Sequence, residues 1–119
     1  MLIAKNVERF LDDFKLKMSI YNVMFLQSGS RIKNTQTLAI LGITQMSMKA
    51  VLNELTKEDY VEGPLPETQL GGIEMWVFGK ELNKHEIYIK ITMGQPNQSV
   101  ICISFHIAEH PMIYPLKNN

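Results

Sequence analysis

The last third of the chain alternates with a period of two. In Glu86–Met93 the side chains Ile87, Ile89, Ile91 and Met93 take every second position, with Tyr88, Lys90 and Thr92 between them. In Ser99–Ile107 the row Ile101, Ile103, Phe105 and Ile107 alternates with Val100, Cys102, Ser104 and His106. That period belongs to a pleated strand and puts successive side chains on opposite faces. Only Gly94-Gln95-Pro96-Asn97-Gln98 separates the two runs, a length that predicts an antiparallel pair. A third run, Ile73–Phe78, is joined to them through Gly79–His85. The two isoleucine rows are expected to share the face on which helices pack. Tyr88, Lys90, Ser104 and His106 then share the other face.

The first half supplies the helices. Val7, Phe10, Leu11, Phe14 and Met18 recur at helical spacing, with Asn6 as the predicted N-cap. Ile20–Leu26 is rich in β-formers and reads as an edge strand interrupted at Asn22 and ended by Gln27-Ser28-Gly29-Ser30. Asn34–Gly42 reads as a short helix that leaves through glycine. Thr44 is the predicted cap of a second helix running to about Leu55, and Thr56–Tyr60 is a helical turn leading out of it. Gly63-Pro64-Leu65-Pro66 excludes regular helix and central strand, so residues 62–72 are expected as a loop. The expectation is one α+β domain over residues 1–119, with N-terminal helices on one face of a small antiparallel sheet. Its parts are helices and a first strand in 1–60, a loop in 61–72, three strands in 73–107 and a tail in 108–119.

Composition limits what such a domain does. Twelve basic and twelve acidic residues cancel, so any site for a polyanion has to be local. The one cysteine, Cys102, excludes an internal disulfide and a cysteine-rich zinc site. No apolar run is long enough to span a membrane, and Met1-Leu2-Ile3-Ala4-Lys5 is too short for a signal sequence, so a cytoplasmic protein without a membrane partner is expected. His106-Ile107-Ala108-Glu109-His110 has the spelling of an inverted zinc-peptidase motif, which needs a helix. Here it grows out of a strand and meets Pro111, so neither a metal nor any other cofactor is expected. No phosphate-binding glycine loop and no nucleophilic serine elbow is spelled anywhere.

What remains is Tyr88, Lys90, Ser104 and His106, with Lys80, Glu109 and His110 near them in sequence. A tyrosine, a lysine and a histidine on one sheet face meet the needs of metal-free RNA cleavage. One group takes the proton of a ribose 2′-hydroxyl, a cation steadies charge on phosphorus, and an acid protonates the departing oxygen. The plainer alternative is an amphipathic sheet whose polar face is merely solvated.

From Arg31 to His106 the chain resembles the MqsR-like (motility quorum-sensing regulator) toxins of bacterial toxin–antitoxin pairs. The resemblance runs through Leu41-Gly42-Ile43, Val51-Leu52-Asn53-Glu54-Leu55, Asp59-Tyr60, Trp76, Glu86-Ile87-Tyr88-Ile89-Lys90-Ile91-Thr92 and Ile103-Ser104-Phe105. It implies a RelE-type fold, cleavage of messenger RNA, and a cognate antitoxin protein as partner. By that resemblance the family's active-site tyrosine falls on Tyr88, and a lysine of the last strand falls on His106. Two further family positions, a lysine and a glutamine, fall on Val61 and Val77, so by the resemblance their roles are either lost here or supplied by others such as Lys57, Lys80 or Lys90. Tyr88, His106 and Lys90 are the expected catalytic residues, and Lys80, Lys57, His110 and Ser104 the expected RNA contacts. The competing expectation is a non-catalytic module of the same fold that binds a protein partner. The tail Ala108–Pro115 extends beyond the family's usual end and is expected to order over the site.

Overall fold

The computed structural model describes residues 2–26, 39–66 and 72–117. Helix α1 (Leu2–Tyr21) buries Val7, Phe10, Leu11, Phe14 and Met18, the stripe that the spacing predicts. It starts earlier than expected: Asn6 lies inside the helix, while Ile3 already packs against the core. It also runs through Ile20 and Tyr21, so only Val23–Phe25 remains as strand β1. Asn22 explains the difference. With φ at 68° it takes the left-handed conformation that ends helices, and its N–H still donates to the Met18 carbonyl at 2.8 Å.

Residues 39–41 are helical and end at Gly42, whose φ of 65° suits a helix exit. The rest of the helix expected over 34–42 lies outside the described residues, as do the turn cluster at 27–30 and residues 67–71. Helix α2 (Gln45–Glu54) is capped by Thr44, whose side chain accepts from the Ser47 N–H. A 3₁₀ turn over Lys57–Asp59 follows, with the Asp59 carboxylate accepting from the Thr56 N–H.

Strand β2 (Tyr60–Leu65) corrects the expected loop: residues 60–65 pair with β3 across two register shifts. The exclusion of a central strand stands, because β2 lies at a sheet edge, where proline is tolerated. Strands β3 (Met75–Leu82) and β4 (His85–Thr92) form a hairpin, and β5 (Val100–Ile107) pairs antiparallel with β4. The hairpin turn is Asn83-Lys84, both at positive φ, the conformation that matches strand twist. The sheet order is β1-β5-β4-β3-β2. The α+β class is as expected, but the sheet is mixed, since β1 joins β5 in parallel.

Helix α1 lies on one face. Phe10 stacks on Trp76 with ring centroids 4.8 Å apart, and Phe14, Phe78, Ile87, Ile89 and Ile91 are sealed around them. The second isoleucine row departs from this pattern. A register shift between Lys90 and Ile91 pairs Ile91 with Cys102 and Thr92 with Ile101. Val100 and Cys102 therefore join the core under α1, while Ile101 and Ile103 are buried outside that contiguous cluster. One extra residue at a bulge exchanges the faces of everything beyond it.

Candidate active site

On the face away from α1, the pairing builds the site in rows. Gly79, Tyr88 and His106 are cross-strand partners, and so are Val77, Lys90 and Ser104. The Tyr88 and His106 rings stack with centroids 5.1 Å apart and planes 14° from parallel. Lys90 Nζ stands 5.9 Å from the Tyr88 ring centroid. Beyond β5 the chain turns back, and Ala108, Glu109, His110, Pro111 and Met112 complete a 330 Å³ cavity with Tyr88, Lys90, Ser104 and His106. The strand does not run on past Ile107, so His110 lines the same cavity as His106.

Protonation follows from these surroundings. Burial, and then the negative charge of Glu62, push the Tyr88 hydroxyl above the ordinary tyrosine range. Tyr88 therefore keeps its hydroxyl proton at neutral pH. His106 Nδ1 lies 2.9 Å from the Ile107 carbonyl oxygen. A carbonyl only accepts, so Nδ1 carries a hydrogen and the lone pair of neutral His106 sits on Nε2. One ring can take a proton while its stacked neighbour gives one.

Five of the seven expected site residues meet here: Tyr88, His106, Lys90, Ser104 and His110. Lys80 and Lys57 do not. Lys80 pairs with Ile87 in the ladder, on the helix-bearing face, and bridges Asp59 at 3.1 Å. Lys57 faces α1, 3.8 Å from Glu8. The reason is parity: Lys80 shares the phase of Trp76 and Phe78, opposite to Gly79.

Sequence reasoning missed Glu86, Gly79 and Tyr114, which fasten the returning chain. Glu86 was within reach, since it shares the two-residue phase of Tyr88 and Lys90. Glu62 was not, because its approach to Tyr88 depends on the irregular register of β2. Among the described residues no group of three or more histidine, cysteine, aspartate or glutamate side chains could hold a metal. No described helix is long and apolar enough to cross a membrane. No family model matches the chain, and searches of curated proteins and of solved structures return no match.

Proposed function

We propose that this protein is a metal-independent endoribonuclease that cleaves messenger RNA, the toxin half of a toxin–antitoxin pair. The observation that carries the reading is the stacked Tyr88–His106 pair in one cavity with Lys90 and His110. His106 Nε2 takes the proton from a ribose 2′-hydroxyl, and the 2′-oxygen attacks phosphorus. The bond from phosphorus to the 5′-oxygen breaks, and the Tyr88 hydroxyl protonates the departing oxygen. The products are a 2′,3′-cyclic phosphate and a 5′-hydroxyl end, and solvent returns Tyr88 and His106 to their starting forms. Lys90 stands where charge builds on the phosphoryl oxygens. Val77, where the resemblance calls for a glutamine, is the cross-strand partner of Lys90, so the lysine occupies the neighbouring position.

One observation favours the second reading, a non-catalytic module that binds a protein partner. Lys57 and Lys80 are turned away from the cavity and engaged with Glu8 and Asp59. The deciding experiment incubates purified protein with messenger RNA in the presence of chelator and maps the new ends. Cyclic phosphate ends, absent with a 2′-O-methyl substrate, support the enzyme. Intact RNA from folded protein leaves the module.

A further inference from the structure

The chain that follows β5 leaves from Glu86 and comes back to it. At one end the Ala108 N–H donates to the Glu86 backbone carbonyl at 2.8 Å. At the other, the Glu86 carboxylate accepts from the Met112 N–H at 3.3 Å and from the Tyr114 hydroxyl at 2.7 Å. Residues 108–112 are thus a short excursion with both ends tied to one residue, and all five line the cavity beside Tyr88 and His106. Both carboxylate oxygens are used, one for each tie.

Gly79 makes the fastening possible. A Cβ there would collide with the Tyr114 hydroxyl and stand 2.7 Å from Met112 Cε. Its φ is not in the left-handed region, so the absent side chain, not backbone freedom, is what the position uses. Past Pro111, Met112 and Tyr114 are half-buried and Ile113 is exposed; the chain then turns at Pro115-Leu116, where the Lys117 N–H donates to the Tyr114 carbonyl at 3.2 Å. The strap over residues 108–114 therefore rests on the sheet through Met112 and Tyr114, which meet it at Gly79.

We propose that this strap is a built wall of the cavity, that it presents His110 to the phosphate of a bound phosphodiester, and that Gly79, Glu86 and Tyr114 are its positioning residues. The proposal rests on the ribonuclease reading for the ligand class, but the fastening concerns residues that the reading does not use. A second imidazole at the rim supplies a donor that one lysine and one histidine leave lacking around a phosphate with several oxygens. Holding a side chain within a fraction of an ångström is what supporting residues contribute to a site.

The test is histidine-ring NMR on the full chain, titrated with inorganic phosphate and then with a 2′-O-methyl RNA hexanucleotide, which 2′-oxygen attack cannot cleave. In the native protein the ring signals of His106 and His110 are expected to move together and saturate with the hexanucleotide. In Tyr114→Phe and Gly79→Ala, with unchanged thermal melts, His106 should still respond while the His110 response weakens by roughly tenfold or more. Ile113→Ser, on the exposed side of the same strap, should behave as native. A moving His106 beside a silent native His110 overturns the wall and leaves the ribonuclease reading standing. A His110 response preserved in both strap variants overturns the positioning role. Rings that ignore both probes bring down the ligand class and the proposal together, and RNA left intact by the same sample identifies that case.

Discussion

Phe78 and Gly79 are neighbours on β3 and face opposite ways, and the two faces they open onto are built differently. On Phe78's side the sheet meets α1 through Trp76, Ile87, Ile89, Ile91 and Phe105, all buried and without charge. On Gly79's side Tyr88, Lys90 and His106 are half-buried, and the strap residues Ala108, Glu109, His110, Pro111 and Met112 line the cavity over them in place of a helix. A helix excludes water over a broad stripe and suits inert packing. A narrow strap shields part of a row and leaves its polar ends wet, which suits groups that exchange protons. On the proposed function, that difference divides stability from chemistry across one sheet by the parity of each residue, so the two should come apart under mutation.

The largest expected effect lies on the helix side. Phe78→Ala removes a ring packed against Phe10 and Tyr60 and should lower unfolding free energy by about 3–5 kcal/mol. Urea denaturation measures it. A loss under 1 kcal/mol would mean that α1 does not hold the sheet as described.

His106→Ala should do the reverse. Cleavage of RNA is expected to fall by roughly 10²–10⁴-fold with the melting temperature close to native. Tyr88→Phe removes a hydroxyl that has no hydrogen-bond partner among the described residues, and leaves the ring stack intact. It too should fold normally. The double variant should lose less than the sum of the two effects, as groups acting in one step do. Full activity in either folded single variant removes that residue from the mechanism.

The buried groups give a pH-dependent contrast of intermediate size. Burial and hydrogen bonding to Glu86 raise the Tyr114 hydroxyl above its ordinary value of 10.0, and burial raises Tyr88 in the same direction. Groups raised on folding favour the neutral form in the native state. The stability they contribute is present below about pH 10, where free tyrosine is neutral, and is lost as pH rises through the folded values. Melting temperature should therefore drop above pH 10, and less so in Tyr114→Phe. Cys102, fully buried in the core with its thiol pushed far above the ordinary range, should resist alkylation until the chain unfolds.

Much of this division was legible from spacing. The stripe Val7, Phe10, Leu11, Phe14 and Met18 and the row Ile87, Ile89, Ile91 repeat without interruption, so both fix a face before any partner is known. The pairing of Tyr88 with His106 followed from two alternations joined by a short loop. The second isoleucine row misled because the bulge between Lys90 and Ile91 has no signature in Ile101–Ile103: each residue there is as good a strand former as the next. Asn22 misled differently. It looked like an interruption in a strand, but it terminates a helix, two readings that the same φ-tolerant side chain permits. The strap was expected to order over the site, but its fastening was out of reach, because Glu86 and Tyr114 are far apart in sequence and only the returning chain brings them together.

The smallest expected effect separates two lysines on neighbouring strands. Lys90 points into the cavity and Lys80 points the other way, where it bridges Asp59 with side chains 27% and 18% exposed. If the two faces divide chemistry from packing, Lys90→Ala should slow cleavage by about tenfold or more through lost charge stabilisation at phosphorus. Lys80→Met keeps the aliphatic stem and should leave cleavage within about twofold, since an ion pair on the far face touches no reacting atom. Its stability cost should stay under about 1 kcal/mol, the usual worth of a partly exposed pair, with the Asp59 carboxylate still accepting from the Thr56 N–H. Steady-state cleavage and urea titration on the two variants read both quantities. A Lys80 variant as impaired in cleavage as the Lys90 variant, yet equally stable, would show that RNA reaches around the sheet edge to the second face, and the division by parity would fail for the one residue type most able to reach across it.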